Sequence, residues 1–106
     1  MVFSQLIANV SQAAAFLRAM SNGRRLIIMS LVLDRELSGE AIREQLRIGP
    51  SALSQHMAEL RTLGLVRVRY DNNTVYYSSD HHGVRELLVM LDSEYGQGSS
   101  NQTGEG

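Results

Sequence analysis

The segment "PSALSQHMAELRTLGLVRVRY", residues 50–70, constrains the fold more tightly than any other part of the chain. It specifies both ends of one helix and then forces a change of period. Pro50 suits the first helical position, where a missing N–H costs nothing. Leu53, Met57 and Leu60 recur at spacings of four and three, so they must face a core. Gly64 follows the last turn with Leu65 placed to touch Leu60, which is a Schellman stop. Beyond it, "VRVRY" and "TVYY" alternate, and "DNN" between them is turn chemistry. With Asn72 and Asn73 in the turn, Tyr70 faces Val75 and Val68 faces Tyr77 on an apolar side. Arg67, Arg69, Tyr76 and Ser78 then share the opposite side.

The remaining elements follow from the same reasoning. Phe3, Leu6, Val10, Ala14 and Leu17 lie on one helical face, so residues 3–20 read as one amphipathic helix. Asn22 and Gly23 interrupt it, and a second helix begins near Arg24. That helix carries "LIIMSLVL", residues 26–33, with only Ser30 polar, and is expected to be buried all round. Ser38 is a candidate N-cap for a third helix holding Ala41, Ile42 and Leu46. Gly49 supplies the turn before the fourth. A last helix from about Asp80, capped by Asp80 or Ser79, shows Val84, Leu87, Leu88, Leu91 and Tyr95 on one stripe. The tail "GQGSSNQTGEG", residues 96–106, has no apolar side chain and is expected to be disordered. The fold class is therefore mainly α with a small β-hairpin, in the order α-α-α-α-β-β-α, a winged helix-turn-helix over residues 1–95.

Composition narrows the function. A chain of 106 residues supports one domain with a modest core. No apolar run approaches the length that spans a bilayer, no basic-then-apolar leader opens the chain, and a cytoplasmic bacterial protein is expected. The absence of cysteine excludes disulfides, thiol redox switching and thiolate metal sites. Net charge is −1, which by itself argues against nucleic acid. Its distribution argues the other way: residues 45–70 hold Arg47, Arg61, Arg67 and Arg69 against Glu59 alone, while residues 71–106 hold Arg85 against six acids. All ten basic residues are arginine, which favours bidentate contact with phosphate or guanine but is also what a GC-rich genome produces.

On the fourth helix, the side opposite Leu53, Met57 and Leu60 carries Ser51, Ser54, Gln55, Ala58 and Thr62, with His56 on its flank. A helix that meets only solvent more often carries Glu and Lys. A helix entering a groove about 12 Å wide needs short side chains with neutral donors and acceptors. Gln55 can pair bidentately with adenine, and Ser51 with the free N–H groups of the first turn can hold a phosphate oxygen. The bland alternative, a weakly polar exposed face, is common. The two arginines on the exposed side of the hairpin, placed to neutralise phosphates beside the groove, favour DNA.

These residues carry a resemblance. "SALSQHMAELRTLGLVRVRYDNNTVYYS" resembles the ArsR/SmtB family of bacterial winged-helix repressors, whose recognition helix commonly reads S-x-L-S-x-H-L-x-x-L-x-x-x-G-L-V. "NGRRLIIMSLVL" looks like the family's second helix, and the likeness spans about residues 10–95. Within the family the chain is most similar to the metal-free NolR/HlyU type. The resemblance implies a homodimer that represses transcription by occupying an imperfect palindrome in double-stranded DNA. By position it implies base or phosphate contacts from Ser51, Ser54, Gln55 and His56 and wing contacts from Arg67 and Arg69. Pro50, Thr62, Asn72 and Asn73 complete the candidate DNA-binding set. The candidate dimer interface is Phe3, Leu6, Val10 and Leu17 with Leu87, Leu91 and Tyr95, because a domain of this size covers only part of both terminal stripes.

No metal and no cofactor are expected. Ser38 and Glu40 stand where the family's third-helix site has cysteines. The last-helix zinc pattern begins with Asp80 and His82 but ends on Ser93 and Gly96, leaving half a site where regulatory zinc has four ligands. His56, Ser54 and Glu59 make no nucleophile–base–orienter chain, and the chain carries no phosphate loop or hydrolase motif, so an enzyme is not expected. The surviving rivals are a metal-responsive repressor and a winged helix used for protein contact. Pairing of Arg67 and Arg69 with acids would favour the second.

Overall fold

Residues 2–97 are described by the computed structural model. Their elements run α1 (Ser4–Ala8), α2 (Val10–Met20), α3 (Gly23–Val32), β1 (Glu36–Ser38), α4 (Gly39–Leu46), α5 (Pro50–Thr62), β2 (Arg67–Asp71), β3 (Thr74–Ser78) and α6 (His82–Tyr95). The helical character, the hairpin and their order agree with the sequence reading. Two features do not. The single helix expected over residues 3–20 is broken at Asn9, whose backbone lies at φ −114°, ψ 28°. Its side-chain amide donates to the Gln5 carbonyl at 3.0 Å, the local competition with helical hydrogen bonding that makes asparagine a poor interior residue. The second difference is β1, which adds a third strand to the sheet in the order β1-β3-β2.

The helix-turn-helix is held by caps that can be named. Asn22 accepts from the Arg25 N–H at 3.2 Å and starts α3. Ser38 closes β1 and caps α4, its hydroxyl accepting from the Ala41 N–H at 3.1 Å. Gly39 seats α4 on the sheet: a Cβ there would stand 3.2 Å from Val75 Cγ1. In the turn between α4 and α5 the left-handed residue is Arg47, at φ 58°, not Gly49. Gly49 is extended and N-caps α5, with Pro50 in the first turn. The stop of α5 has the expected form. Leu65 N–H donates to the Leu60 carbonyl at 3.0 Å, Gly64 N–H to Arg61 at 2.9 Å, and Gly64 sits at φ +72°.

The hairpin has the anticipated register, Val68 opposite Tyr77, Tyr70 opposite Val75 and Arg69 opposite Tyr76, with Asn72 left-handed at φ 56°. Ser79 is buried after β3, and its hydroxyl donates to the Leu65 carbonyl at 2.7 Å, pinning the foot of the hairpin. The cap of α6 is His81, not Asp80 or Ser79: its Nδ1 accepts from the Val84 N–H at 3.1 Å while the ring stacks on Phe16.

The core gathers Met20, Ile28, Met29, Val32, Ile42, Leu53, Met57, Leu60 and Val84. It seals one side of α3 only, since Ile27 is 47 % exposed, so the expectation of all-round burial does not hold within one chain. The terminal helices contribute little. None of α1 is buried, α2 buries Ala19 and Met20, and α6 buries Val84. The tail expected to be disordered lies, from residue 98 onward, outside the described residues.

Candidate nucleic-acid interface

Packing of Leu53, Met57 and Leu60 into the core decides which side of α5 faces outward. Pro50, Ser51, Ser54, Gln55, Ala58 and Thr62 are all exposed. The first four candidates crowd the N-terminal turns. Thr62 stands eleven residues beyond Ser51, about 16 Å along the axis at 1.5 Å per residue. Its hydroxyl donates to the Ala58 carbonyl at 2.9 Å, so its hydrogen-bonding capacity is partly used at home.

His56 is only half exposed. Its Nδ1 accepts a hydrogen bond of 3.1 Å from Arg25 Nε, across from the first turn of α3. Burial, then the charges of Arg25 and Arg24, push the imidazole below its ordinary pKa and keep it neutral. Arg25 was not among the sequence candidates. Nothing in local spacing connects residues 25 and 56, and only tertiary packing brings them together.

Arg67 and Arg69 project from the exposed side of the hairpin, as the alternation requires. Both are paired with acids. Arg67 Nη1 lies 3.0 Å from Asp80 Oδ1. Arg69 makes a bidentate pair with Glu36, at 2.8 and 2.9 Å, lies 3.8 Å from Asp71, and spreads its guanidinium 4.4 Å over the Tyr76 ring. The hydrogen bond from Arg69 holds the Glu36 carboxyl below its usual range. A local charge count over residues 45–70 misses these acids: Glu36 and Asp80 come from other parts of the chain, and Asp71 ends β2 just past the counted window. All of the pairs face solvent, where water and salt screen an ion pair. Asn72 and Asn73 stand exposed at the tip of the hairpin.

Of the candidate dimer residues, Phe3 at 59 % and Leu17 at 57 % are mostly uncovered, as are Leu6, Val10 and Tyr95. Leu87 and Leu91 are half-buried against their own chain, and Val89 and Met90 are the more exposed apolar residues of α6. Among the described residues no group of three or more His, Cys, Asp or Glu is placed to hold a metal ion, and no helix is long and apolar enough to cross a membrane.

Comparison with known proteins bears on this arrangement. Residues 22–68 match the model of the bacterial regulatory protein arsR family. The chain is 38% identical over 97 residues to the transcriptional activator HlyU of Vibrio cholerae, an alignment covering 92% of this chain and 90% of that protein. The crystal structure of NolR from Sinorhizobium fredii superposes with a TM-score of 0.80 at 35% identity, covering 91% of this chain and 96% of the other. The homodimeric winged helix-turn-helix DNA-binding domain Mb0332 from Mycobacterium bovis, solved in solution, gives 0.73 at 26% identity, over 92% and 90% of the two chains. The chain thus belongs to the ArsR family of bacterial regulatory proteins, as a winged helix-turn-helix transcriptional regulator that binds DNA and not as an enzyme.

Proposed function

We propose that this regulator binds an imperfect palindrome in duplex DNA as a homodimer and represses transcription by occupying the promoter, in the bacterial cytoplasm. Each α5 enters a major groove, and each hairpin lies along the adjacent backbone. The observation that carries this reading is the outward, uncharged, short-chained face of α5 beside a ribbon bearing Arg67 and Arg69. In this reading Gln55 reads a base, Ser51, Ser54 and His56 contact bases or phosphates, and the arginines with Asn72 and Asn73 hold phosphates. Pro50 sets the start of the helix and Thr62 borders its far end. A two-fold dimer places two such helices about 34 Å apart, one turn of duplex. The homodimeric state of the Mycobacterium bovis domain supports this assembly.

The pairing of both wing arginines with acids favours a second reading, in which the wing contacts protein. One mobility-shift experiment on duplexes selected from genomic fragments separates the two. The DNA reading expects a shift whose affinity falls steeply between 50 and 200 mM salt, as counterion release demands (about 10³-fold or more for six phosphate contacts). It also expects Gln55→Ala to change base preference, whereas changing Arg67 and Arg69 to Ala weakens every sequence alike. A folded protein that shifts no fragment at low salt ends it.

A further inference from the structure

The Arg25 guanidinium ties α2 and α3 to the outward helix. Its backbone N–H is taken by the Asn22 cap, its Nη1 reaches the Ala19 carbonyl at the end of α2 at 3.5 Å, and its Nε donates to His56 Nδ1 at 3.1 Å. Three elements therefore meet on one side chain. An imidazole that accepts at Nδ1 and is neutral carries its single proton on Nε2. The His56 ring, half-exposed on the flank of α5, is then a donor only. It suits an acceptor such as a phosphate oxygen or the N7 and O6 edge of guanine, and it does not suit the amino groups of adenine or cytosine.

We propose that Arg25 is a positioning residue for DNA recognition: it locks His56 as an Nε2–H donor and aims that donor at an acceptor on the duplex. This rests on the DNA reading above and adds to it a residue, a tautomer and the chemistry of the group recognised. An unlocked ring would present a donor or an acceptor on the same edge, according to its tautomer. The charged groups around it are Arg25 and Arg24 from α3, with Arg18 of α2 and Glu59 of α5 lining the shallow groove beside Arg25. Protonating Nδ1 sets its N–H against the Arg25 N–H and breaks the contact. Because burial, then the charges of Arg25 and Arg24, favour the neutral ring in the fold, the stability linked to His56 is complete above the ordinary histidine pKa of about 6.5 and is lost as pH falls through the lowered value.

The test uses the full chain and a duplex that the wild-type protein selects from random sequence. Nitrogen-15 spectra of the free protein at pH 7.5 are expected to show His56 as the Nε2–H tautomer, and Arg25→Gln is expected to give a mixture. Binding by Arg25→Gln should weaken about three- to tenfold, the loss of one modest hydrogen bond, with an unchanged salt slope. A lost phosphate contact would instead lower that slope by about one. His56→Asn keeps an amide near Nδ1 and should lose more affinity than His56→Gln, which keeps one near Nε2. In a His56→Gln background, Arg25→Gln should add no further loss. A wild-type chain that binds duplex while carrying His56 as Nδ1–H overturns this proposal alone, as does a reduced salt slope or the reverse order of the two histidine variants. Selection that recovers no duplex overturns the DNA reading and this proposal with it.

Discussion

Arg69 is the side chain on which the wing turns. Its guanidinium is stacked on Tyr76 and doubly hydrogen-bonded to Glu36, which, like a phosphate, offers two anionic oxygens to the fork. In the DNA reading proposed above, Glu36 would compete with the duplex for that fork. Replacing it by Gln should tighten binding about two- to fivefold, the range of an exposed ion pair, in an anisotropy titration at low salt. An unchanged affinity would mean that Arg69 does not touch the backbone. The carboxyl is held below its usual range, so this competition operates at neutral pH and fades only in acid, as the carboxylate is neutralised. The outward direction of Arg67 and Arg69 was legible from alternation alone. Their partners were not, because Glu36 stands on a strand and Asp80 in a connection that reach the hairpin only through the sheet and the start of α6.

The elements differ in how plainly they are written. Both ends of α5 are local chemistry, Pro at the start and Gly then Leu at the stop, and both are realised. Gly64→Ala should cost about 1–2 kcal/mol, since an L side chain at φ +72° meets the following carbonyl. Removing the Ser38 cap by Ser38→Ala should cost about 1 kcal/mol. Urea unfolding measures both, and a Gly64→Ala protein as stable as wild type would contradict the left-handed stop. Other boundaries escaped the sequence for physical reasons. β1 has three residues, too few for a period to show, and exists because β3 offers it an edge. Asn9 sits within a run of good apolar spacing, and its competition for the Gln5 carbonyl leaves no mark on that spacing. The cap of α6 falls to His81, whose Nδ1 takes the Val84 N–H, while the Ser79 hydroxyl takes the His81 N–H and Asp80 pairs with Arg67.

At the scale of the molecule, one chain leaves too much apolar surface uncovered. Val89 is 62 % exposed and Tyr95 76 %, and Leu26, Leu33, Leu88 and Leu91 line an open groove of about 580 Å³ between α3 and α6. The same surplus explains why α3, apolar on nearly every side, is sealed on only one. If a second copy covers the terminal helices, Leu17→Glu should convert the protein to a monomer in sedimentation, leave its circular dichroism unchanged, and weaken DNA binding at least tenfold. A dimer that survives with Leu17, Val89 and Tyr95 all changed to Glu would place the interface elsewhere. What the amino-acid order determined by itself was carried by neighbours within one turn or one hairpin: the period of most helices, the Schellman stop, the strand register and the outward face of α5. What only the tertiary structure decided was which distant groups meet, namely Arg25 with His56, Arg69 with Glu36, and β1 with β3. Short-range steric and hydrogen-bonding rules act between residues a few positions apart, whereas these pairings depend on the closed core that brings remote segments within reach.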